Sequence, residues 1–264
     1  MSHQPRKRFG QNFLHDAGVI AAIVAAIHPQ PGDRVVEIGP GLGALSRPLL
    51  EALGGLDVVE IDRDLVARLR AEATPGLRVH EADALDFDFA ALGGDLRVVG
   101  NLPYNISTPL LFHLAAQAAA IRDIHVMLQK EIVTRMAAPA GDSNYSRLSV
   151  MIQYRFGVEP LLDVPPEAFR PVPQVDSAVV RLTPWRPLPH AAKDEATFAR
   201  VVAAAFSQRR KTVRNSLGSF AGAEDFAALG IAPGGRAQEL SVAQYVALAD
   251  RVAAAMPVTA SPSR

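Results

Sequence analysis

Apolar runs alternate with amphipathic stretches over the first half of the chain. Five short runs rich in β-branched residues have the length of buried strands and cover residues 34–38, 56–61, 77–81, 96–100 and 124–129. The stretches between them have helical spacing and include residues 43–53, 63–73 and 107–120. Strands that alternate with helices in this way predict a parallel sheet with helices on both faces. Such a sheet binds its ligands at the carboxyl ends of the strands, so the loops there are candidates for function.

The second half of the chain begins with two further strand-like runs. Residues 147–164 and 176–184 have many apolar positions, and a Pro-rich segment from Pro165 to Pro173 joins them. This pattern predicts two strands, arranged much like a β-hairpin.

The remaining pattern is helical. Residues 183–189 are rich in proline and indicate a linker, and residues 194–255 carry only helical spacing. The predicted organisation is an α/β domain over residues 1–184 with a flexible N-terminal segment over 1–15, a helical domain over 185–256 and a disordered tail over 257–264.

The charge balance constrains the kind of partner. The 264 residues are 49% hydrophobic and 20% charged, which is typical of globular proteins. Basic and acidic residues balance at 27 each, so an RNA partner would require local basic clusters. Two clusters exist, although a solvated helix face would have the same composition: Arg6-Lys7-Arg8, and Arg209-Arg210-Lys211 with Arg214.

Several classes of protein are excluded or disfavoured. The absence of cysteine excludes disulfides, thiolate metal sites and a cysteine nucleophile. No apolar run approaches the roughly 18 residues of a membrane span. Residues 6–8 and 17–27 resemble a signal peptide, but polar residues separate them, so we expect a cytoplasmic protein. The sequon at 105–107 would then not be glycosylated, and Ser107 or Thr108 is expected to cap a helix instead.

A glycine-rich loop follows the first strand. Gly39, Gly41 and Gly43 would let the backbone approach a ligand closely at the start of a helix. The spacing from Gly39 to Ala44 also satisfies the loosened dinucleotide fingerprint, so a nicotinamide cofactor stays open. A tight turn without a ligand is the simpler alternative.

Acidic residues follow the next two strands. Glu60 could accept hydrogen bonds from both hydroxyls of an adenosine ribose, which NAD and S-adenosylmethionine share. Asp83 could accept a hydrogen bond from an adenine amino group, although a turn or N-cap residue would look the same.

Asn101-Leu102-Pro103-Tyr104 follows the fourth strand and suits chemistry on an exocyclic amine. The Asn101 side-chain oxygen and the carbonyl of Leu102 or Pro103 could accept hydrogen bonds from the two amino hydrogens. Tyr104 could stack on the base, which must leave its helix or loop to be reached. Orientation toward a strong methyl electrophile would suffice, so we expect no metal. A dehydrogenase has no evident use for this loop, whereas a plain strand-to-helix turn is possible.

The chain resembles the ribosomal RNA adenine N6,N6-dimethyltransferases, most closely the bacterial small-subunit branch. Six ordered segments carry the resemblance: RKRFGQNFL, EIGPGLGALS, VVEIDRDL, NLPYNISTPLLFHL, FRPVPQVDSAVVRL and FSQRRKTVRNSL. The resemblance implies a Rossmann-like, S-adenosylmethionine-dependent methyltransferase sheet with a small C-terminal all-helical domain that binds RNA and the ribosome.

The implied activity is dimethylation of N6 on two adjacent adenosines near the 3′ end of 16S ribosomal RNA. The methyl donor would be S-adenosylmethionine, the product S-adenosylhomocysteine, and the substrate an immature 30S particle. We expect a monomer that binds neither metal nor membrane. Alternatives are a macrolide-resistance methyltransferase of large-subunit RNA, an assembly factor whose binding matters more than its chemistry, and a nicotinamide dehydrogenase.

The resemblance also assigns residues. Phe169 is expected to stack on the target adenine opposite Tyr104. The expected cofactor site comprises Gln11, Asn12, Leu14, Gly39, Gly41, Gly43, Glu60, Ile61, Asp83, Ala84 and Asn101.

Overall fold

A seven-stranded mixed sheet organises the first half of the computed structural model, which describes residues 11–208 and 210–255. The strands within those ranges are β1 (Phe13–Leu14), β2 (Arg34–Ile38), β3 (Leu56–Glu60), β4 (Leu77–Glu81), β5 (Leu96–Asn101), β6 (Ile121–Gln129), β7 (Phe156–Val164), β8 (Phe169–Arg170) and β9 (Ser177–Pro184). The sheet has the order β4-β3-β2-β5-β6-β9-β7, and β1 pairs separately with β8.

Helices connect these strands and form the C-terminal part. They are α1 (Ala17–Ile27), α2 (Ser46–Leu53), α3 (Arg63–Ala71), α4 (Ser107–Ala116), α5 (Lys130–Ala137), α6 (Arg147–Arg155), α7 (Glu195–Ala205), α8 (Val213–Leu217), α9 (Ala223–Ala228) and α10 (Val242–Ala255). None of the helices in the described part is long and apolar enough to cross a membrane.

The expected parallel sheet is confirmed. Strands β2 to β6 pair parallel with one another, and only β9 runs in the opposite direction, pairing antiparallel with both β6 and β7. β2 and β5 are buried along almost their whole length, as strands covered on both faces must be, which explains their continuous apolar runs. β4 lies at the edge of the sheet and is more polar.

Residues 147–155 correct the sequence prediction, because they form the helix α6 and not a strand. The apolar residues at 148, 150, 152 and 154 alternate as in a strand. They are all buried, together with Ser149, so the helix is covered on most of its circumference and has no polar face to reveal its period. The Ser149 hydroxyl also accepts a hydrogen bond from the Ser146 amide, as a helix start requires.

The chain divides into two compact units, and the boundaries differ in part from those expected. The α/β unit comprises residues up to 134 together with 156–184, and the helical unit comprises 135–155 together with residues from 185 onward. The break at Pro184 lies where the sequence indicates a linker. Residues 135–155 join the helical unit because side chains such as Tyr154 belong to its hydrophobic core.

The segment 1–15, which the sequence predicts to be flexible, is described from residue 11 onward. Residues 13–14 form β1, which pairs antiparallel with β8, and the His15 amide donates to the Ala168 carbonyl at 2.9 Å. Asp16 caps α1 by accepting from the Val19 amide at 2.9 Å. Residues 1–10, Arg209 and residues 256–264, with the predicted tail, lie outside the described residues.

Arg97, near the start of β5, joins several elements of the α/β unit. Its guanidinium donates to Asp123 on β6 at 3.0 Å and to Asp33, which precedes β2, at 2.8 Å. It also donates at 2.7 Å to the carbonyl of Ile27, which ends α1 and has no partner within the helix. The three charged side chains are 9%, 15% and 8% exposed, so this network is almost entirely removed from water.

The network determines the charge of Asp33. Burial alone would raise the pKa of Asp33, but hydrogen bonds from Arg122, the Gln30 amide and Arg97 outweigh it and lower the pKa to about 2. Asp33 is therefore ionised at neutral pH and balances the buried guanidinium.

Replacing Arg97 by Leu is expected to lower the free energy of unfolding by about 3 kcal/mol, because two buried carboxylates each lose a charged partner. Urea unfolding followed by circular dichroism measures this. The loss should shrink as the pH falls from about 4 toward 2, because protonation of Asp33 then removes the stabilisation in the wild type.

Arg181→Leu is the matched control. Arg181 pairs with Glu159 on the surface of the same sheet, where an ion pair contributes less than about 1 kcal/mol. Equal losses in the two variants would contradict a special role for the buried network.

Candidate active site

A cavity of about 290 Å³ lies at the carboxyl ends of the parallel strands. Ile38, Glu60 and Asn101, which end β2, β3 and β5, all contribute to its lining. The strand order reverses between the neighbouring strands β2 and β5, so the cavity lies at the topological switch point. Its volume is close to the lower end of the range for small-molecule sites.

The glycine loop forms one wall of the cavity. Gly39 and Gly41 line it with positive φ angles of 66° and 56°. A Cβ atom on Gly41 would lie 3.1 Å from the Phe13 ring, so both conformation and space favour glycine there. Gly43 does not line this cavity; its nearest side chain is Arg47, on the side of a neighbouring surface cavity.

Glu60 is held rigidly at the end of β3. Its carboxylate accepts hydrogen bonds from the Asp62 amide at 2.9 Å and the Gly41 amide at 3.4 Å. Burial raises the pKa of Glu60, and these two hydrogen bonds oppose that shift. Each oxygen keeps a free lone pair for a ligand hydroxyl. Ile61 lines the cavity beside it and is 44% exposed.

Asp83 lies at the cavity wall and also makes a turn. Its Oδ1 accepts from the Leu85 amide at 2.9 Å, so the local role considered from the sequence is present. Its side chain nevertheless lines the cavity next to the buried Ala84. The two roles are compatible because a carboxylate has a second oxygen.

The segment from Gln11 to Leu14 closes another side of the cavity. All four of its residues line the cavity. The Gln11 side chain donates to Asp62 Oδ2 at 3.0 Å, and Leu14 pairs with Phe169 in the two-stranded sheet. The three cofactor-site residues predicted in this segment therefore lie together with those of the glycine loop.

Asn101 has a defined amide orientation. Its Nδ2 donates to the Asn12 carbonyl oxygen at 2.9 Å, so Oδ1 is left as an acceptor at the cavity. No hydrogen bond to this Oδ1 exists within the residues that the structure describes.

The next two carbonyl groups differ in availability. The Pro103 carbonyl accepts from the Ile106 amide at 3.2 Å and from the Ser107 hydroxyl at 3.0 Å, so both its lone pairs are used. The Leu102 amide donates to the Met127 carbonyl at 3.1 Å, which fixes that peptide on β6. Of the two carbonyl groups considered from the sequence, Leu102 is the one available for a ligand.

This geometry corrects the predicted helix cap. α4 begins at Ser107 itself, and Ile106 is the N-cap residue without a side-chain hydrogen bond. Ser107 bonds backward to the Pro103 carbonyl instead, so it stabilises the loop and does not cap the helix, and Thr108 lies inside the first turn.

Tyr104 lines the cavity with a half-buried ring. Its hydroxyl lies 2.6 Å from the hydroxyl of Ser177, which begins β9. Burial raises the pKa of Tyr104, and the Ser177 contact opposes that shift. Tyr104 is therefore neutral at physiological pH.

Phe169 does not line the cavity. It is completely buried in the hydrophobic core of the α/β unit, and its backbone pairs with Leu14. A stacking role for its ring would require this two-stranded sheet to open, and it stays a prediction.

The basic clusters are only partly described. Arg210, Lys211 and Arg214 are exposed on the helical unit and have no ion pair among the residues that the structure describes. The other predicted RNA-binding residues lie outside those ranges: Arg6, Lys7, Arg8 and Arg209.

Two site residues were missed from the sequence. Glu37 lines the cavity from within β2, is 2% exposed, and accepts a hydrogen bond from the Ser46 hydroxyl at 2.5 Å. Glu37 could have been identified from the sequence, because a glutamate is unusual in an apolar strand that is covered on both faces. Ser177 could not be identified in this way, because its partner Tyr104 is 73 positions away.

No group of three or more His, Asp or Glu side chains that could hold a metal ion occurs within residues 11–208 and 210–255.

Sequence comparison connects the chain with proteins that modify RNA. A model of the family described as ribosomal RNA adenine dimethylase matches residues 2–254. A ribosomal RNA small subunit methyltransferase A of Aromatoleum aromaticum is 61% identical and aligns over 97% of both chains. The protein of that name from Thiobacillus denitrificans is 63% identical over 93% of this chain and 97% of its own.

Solved structures show the same fold. A dimethyladenosine transferase from Plasmodium falciparum has a TM-score of 0.76 at 26% identity, over 89% of this chain and 95% of its own. The 23S rRNA methyltransferase ErmE has a TM-score of 0.73 at 26% identity, over 92% of this chain and 100% of its own.

Glu37 predicts a pH dependence of stability. Burial and the neighbouring Glu60 carboxylate, opposed by the Ser46 hydrogen bond, raise the pKa of Glu37 from 4.5 to about 7. Between these values the folded protein keeps a proton that the unfolded chain loses, so the free energy of unfolding falls as the pH rises. Titration of Glu37 accounts for a decrease of up to about 3 kcal/mol in the free energy of unfolding. The Glu37→Gln variant has no carboxyl group at this position and should not show this decrease.

Urea unfolding of the ligand-free protein between pH 5 and pH 8 measures the difference. Glu51→Gln, an exposed glutamate on α2, is the matched control and should keep the wild-type slope. A Glu37→Gln variant with that same slope would contradict a protonated Glu37.

Proposed function

The chain belongs to the ribosomal RNA adenine dimethylase family, and we propose that it transfers methyl groups from S-adenosylmethionine to N6 of two adjacent adenosines near the 3′ end of 16S ribosomal RNA. Its relatives named small subunit methyltransferase A are 61% and 63% identical. The fold does not separate the two substrate classes, since the 23S enzyme has a similar TM-score, but at 26% identity that enzyme is far more distant.

The cavity has groups that suit S-adenosylmethionine. Glu60 offers two carboxylate oxygens to ribose hydroxyls, Asp83 offers an acceptor to the adenine amino group, and the Gly39 backbone permits close approach. When bound, this cofactor supplies a methyl group on a sulfonium, which a weak nucleophile can attack. The same groups would also suit the ribose and adenine of NAD, so the cofactor itself must be tested.

The loop after β5 suits an adenine amino group. Asn101 Oδ1 and the Leu102 carbonyl are two free acceptors on consecutive residues, and an exocyclic amine has two hydrogens to donate. Holding both hydrogens draws the nitrogen toward tetrahedral geometry and exposes its lone pair. The poor nucleophile is thereby oriented, and orientation is a large part of catalysis when the electrophile is strong.

The hydrogen bond from Asn101 Nδ2 to the Asn12 carbonyl is the observation that carries this assignment. It leaves the amide only one way to face the cavity, with its oxygen as acceptor. An asparagine in the opposite orientation would present hydrogens to the amine and repel it. Tyr104 adds an aromatic face on which the displaced base can stack.

The proposed substrate is ribosomal RNA within an immature 30S particle, and the proposed location is the cytoplasm. We also propose that the protein acts as a monomer. The exposed residues Arg210, Lys211 and Arg214 would bind phosphate groups, so binding of the particle should weaken as salt rises.

Asn101→Ala tests the chemical assignment. We expect the rate of methylation of immature small subunits to fall at least about 100-fold, because one of two acceptors is lost, while the variant still binds the particle. Mass spectrometry of RNA fragments measures methylation, and co-sedimentation measures binding. Asn144→Ala, an exposed asparagine of the helical unit, is the control and should behave as the wild type.

Three results would each overturn one part of the proposal: the role of Asn101, the RNA substrate or the cofactor. Near wild-type methylation by Asn101→Ala would remove Asn101 from the chemistry. Methylation of large-subunit RNA alone would change the substrate. Calorimetry showing tight binding of NAD and none of S-adenosylmethionine would exclude methyl transfer.

A further inference from the structure

Among the residues that the structure describes, the hydroxyl of Tyr104 has one partner, Ser177, and that partner lies outside the cavity. The two hydroxyl oxygens are 2.6 Å apart. Ser177 is completely buried and makes no other side-chain hydrogen bond among the described residues. We propose that Ser177 is a positioning residue for methyl transfer, which fixes the Tyr104 ring on which the target adenine stacks. This role rests on the proposed function.

Ser177 is a rigid anchor. It is the first residue of β9, which is paired on both sides, and its Cα lies in register with Gln129 of β6 and Val164 of β7. The Asp176 carbonyl just before it accepts a hydrogen bond from the Lys130 amide at 2.9 Å. The backbone that carries the hydroxyl is therefore held by two strands and by the start of α5.

Tyr104 is held at its other end by the loop. The Pro103 carbonyl accepts hydrogen bonds from the Ile106 amide and the Ser107 hydroxyl, which fixes the turn that contains Tyr104. A tyrosine side chain has only two rotatable bonds, so fixing both its backbone and its hydroxyl determines χ1 and therefore the direction in which the ring points.

The contact between Tyr104 and Ser177 connects two strands that are not neighbours in the sheet. Tyr104 follows β5, whereas Ser177 is on β9, and β6 lies between them. Strands two places apart are separated by about 10 Å, so the tyrosine side chain extends across the carboxyl end of β6 to reach its partner. Tyr104 lines the cavity, whereas Ser177 does not.

A ring without this contact would sample several rotamers. Ordering it would then oppose binding of the extruded base and reduce the fraction of complexes aligned for reaction. The cofactor groups and the basic clusters would be unaffected, because Ser177 contributes to neither. The expected defect is therefore in the rate of methyl transfer and not in binding of the cofactor or of the particle.

A double-mutant cycle tests the proposal with Ser177→Ala, Tyr104→Phe and the double variant. Each single change should lower kcat for methylation of immature small subunits about tenfold, which is within the range that stacking of one base contributes. The double variant should be no slower than either single variant, because both remove the same contact. The Kd for S-adenosylmethionine and the KM for the particle should change by less than about twofold.

Thr183→Ala is the matched control, since it removes an exposed hydroxyl from the same strand. Its kcat should equal that of the wild type. Thermal unfolding of every variant separates loss of fold from loss of positioning. If Ser177→Ala does not fold, Tyr104→Phe still tests the proposal, because it leaves Ser177 in place.

A double variant about 100-fold slower than the wild type would overturn the proposal, since the two hydroxyls would then act independently. A Tyr104→Phe variant with wild-type kcat would overturn it too. A wild-type protein that methylates no small-subunit adenosine would be a different result, because it would overturn the proposed function itself.

Discussion

The buried guanidinium of Arg97 is the interaction on which the geometry of the site depends. It joins the end of α1, the residue before β2 and the start of β6 to the beginning of β5. β5 carries Asn101 at its other end, and α1 follows the segment that supplies Asn12. A buried charge that loses its partners is strongly destabilising, so the relative positions of these elements are fixed. The positions of the loops at the opposite ends of the strands are fixed with them.

The N-terminal segment connects two parts of the site that the sheet alone would leave independent. Gln11 bonds to Asp62 beside the proposed ribose acceptor Glu60, and Asn12 bonds to Asn101 beside the proposed amine acceptor. Two adjacent residues of the segment before β1 thus contact both halves of the cavity. A displacement of this segment would disturb the cofactor groups and the orientation of the Asn101 amide together.

Two buried glutamates at the cavity differ in how the protein stabilises their charge. Glu37 and Glu60 are both buried on neighbouring strands, and burial raises the pKa of each. The pKa of Glu37 reaches about 7, so near neutral pH it retains a proton for much of the time, which reduces the repulsion between the two side chains. Glu60 is the one of the two that backbone amides stabilise, which suits an acceptor of ribose hydroxyls.

The sequence by itself determined the parallel strands, the glycine loop and the Asn101 to Tyr104 loop, because strand period, helix period and turn chemistry are local properties. It misassigned α6, whose buried circumference hides the helical period, and it could not place Phe169, which pairing with Leu14 keeps in the core. Only the tertiary structure decided which carbonyl of the loop is free and which residue holds Tyr104. Those outcomes depend on hydrogen bonds between residues as far as 89 positions apart, and no local pattern encodes such contacts.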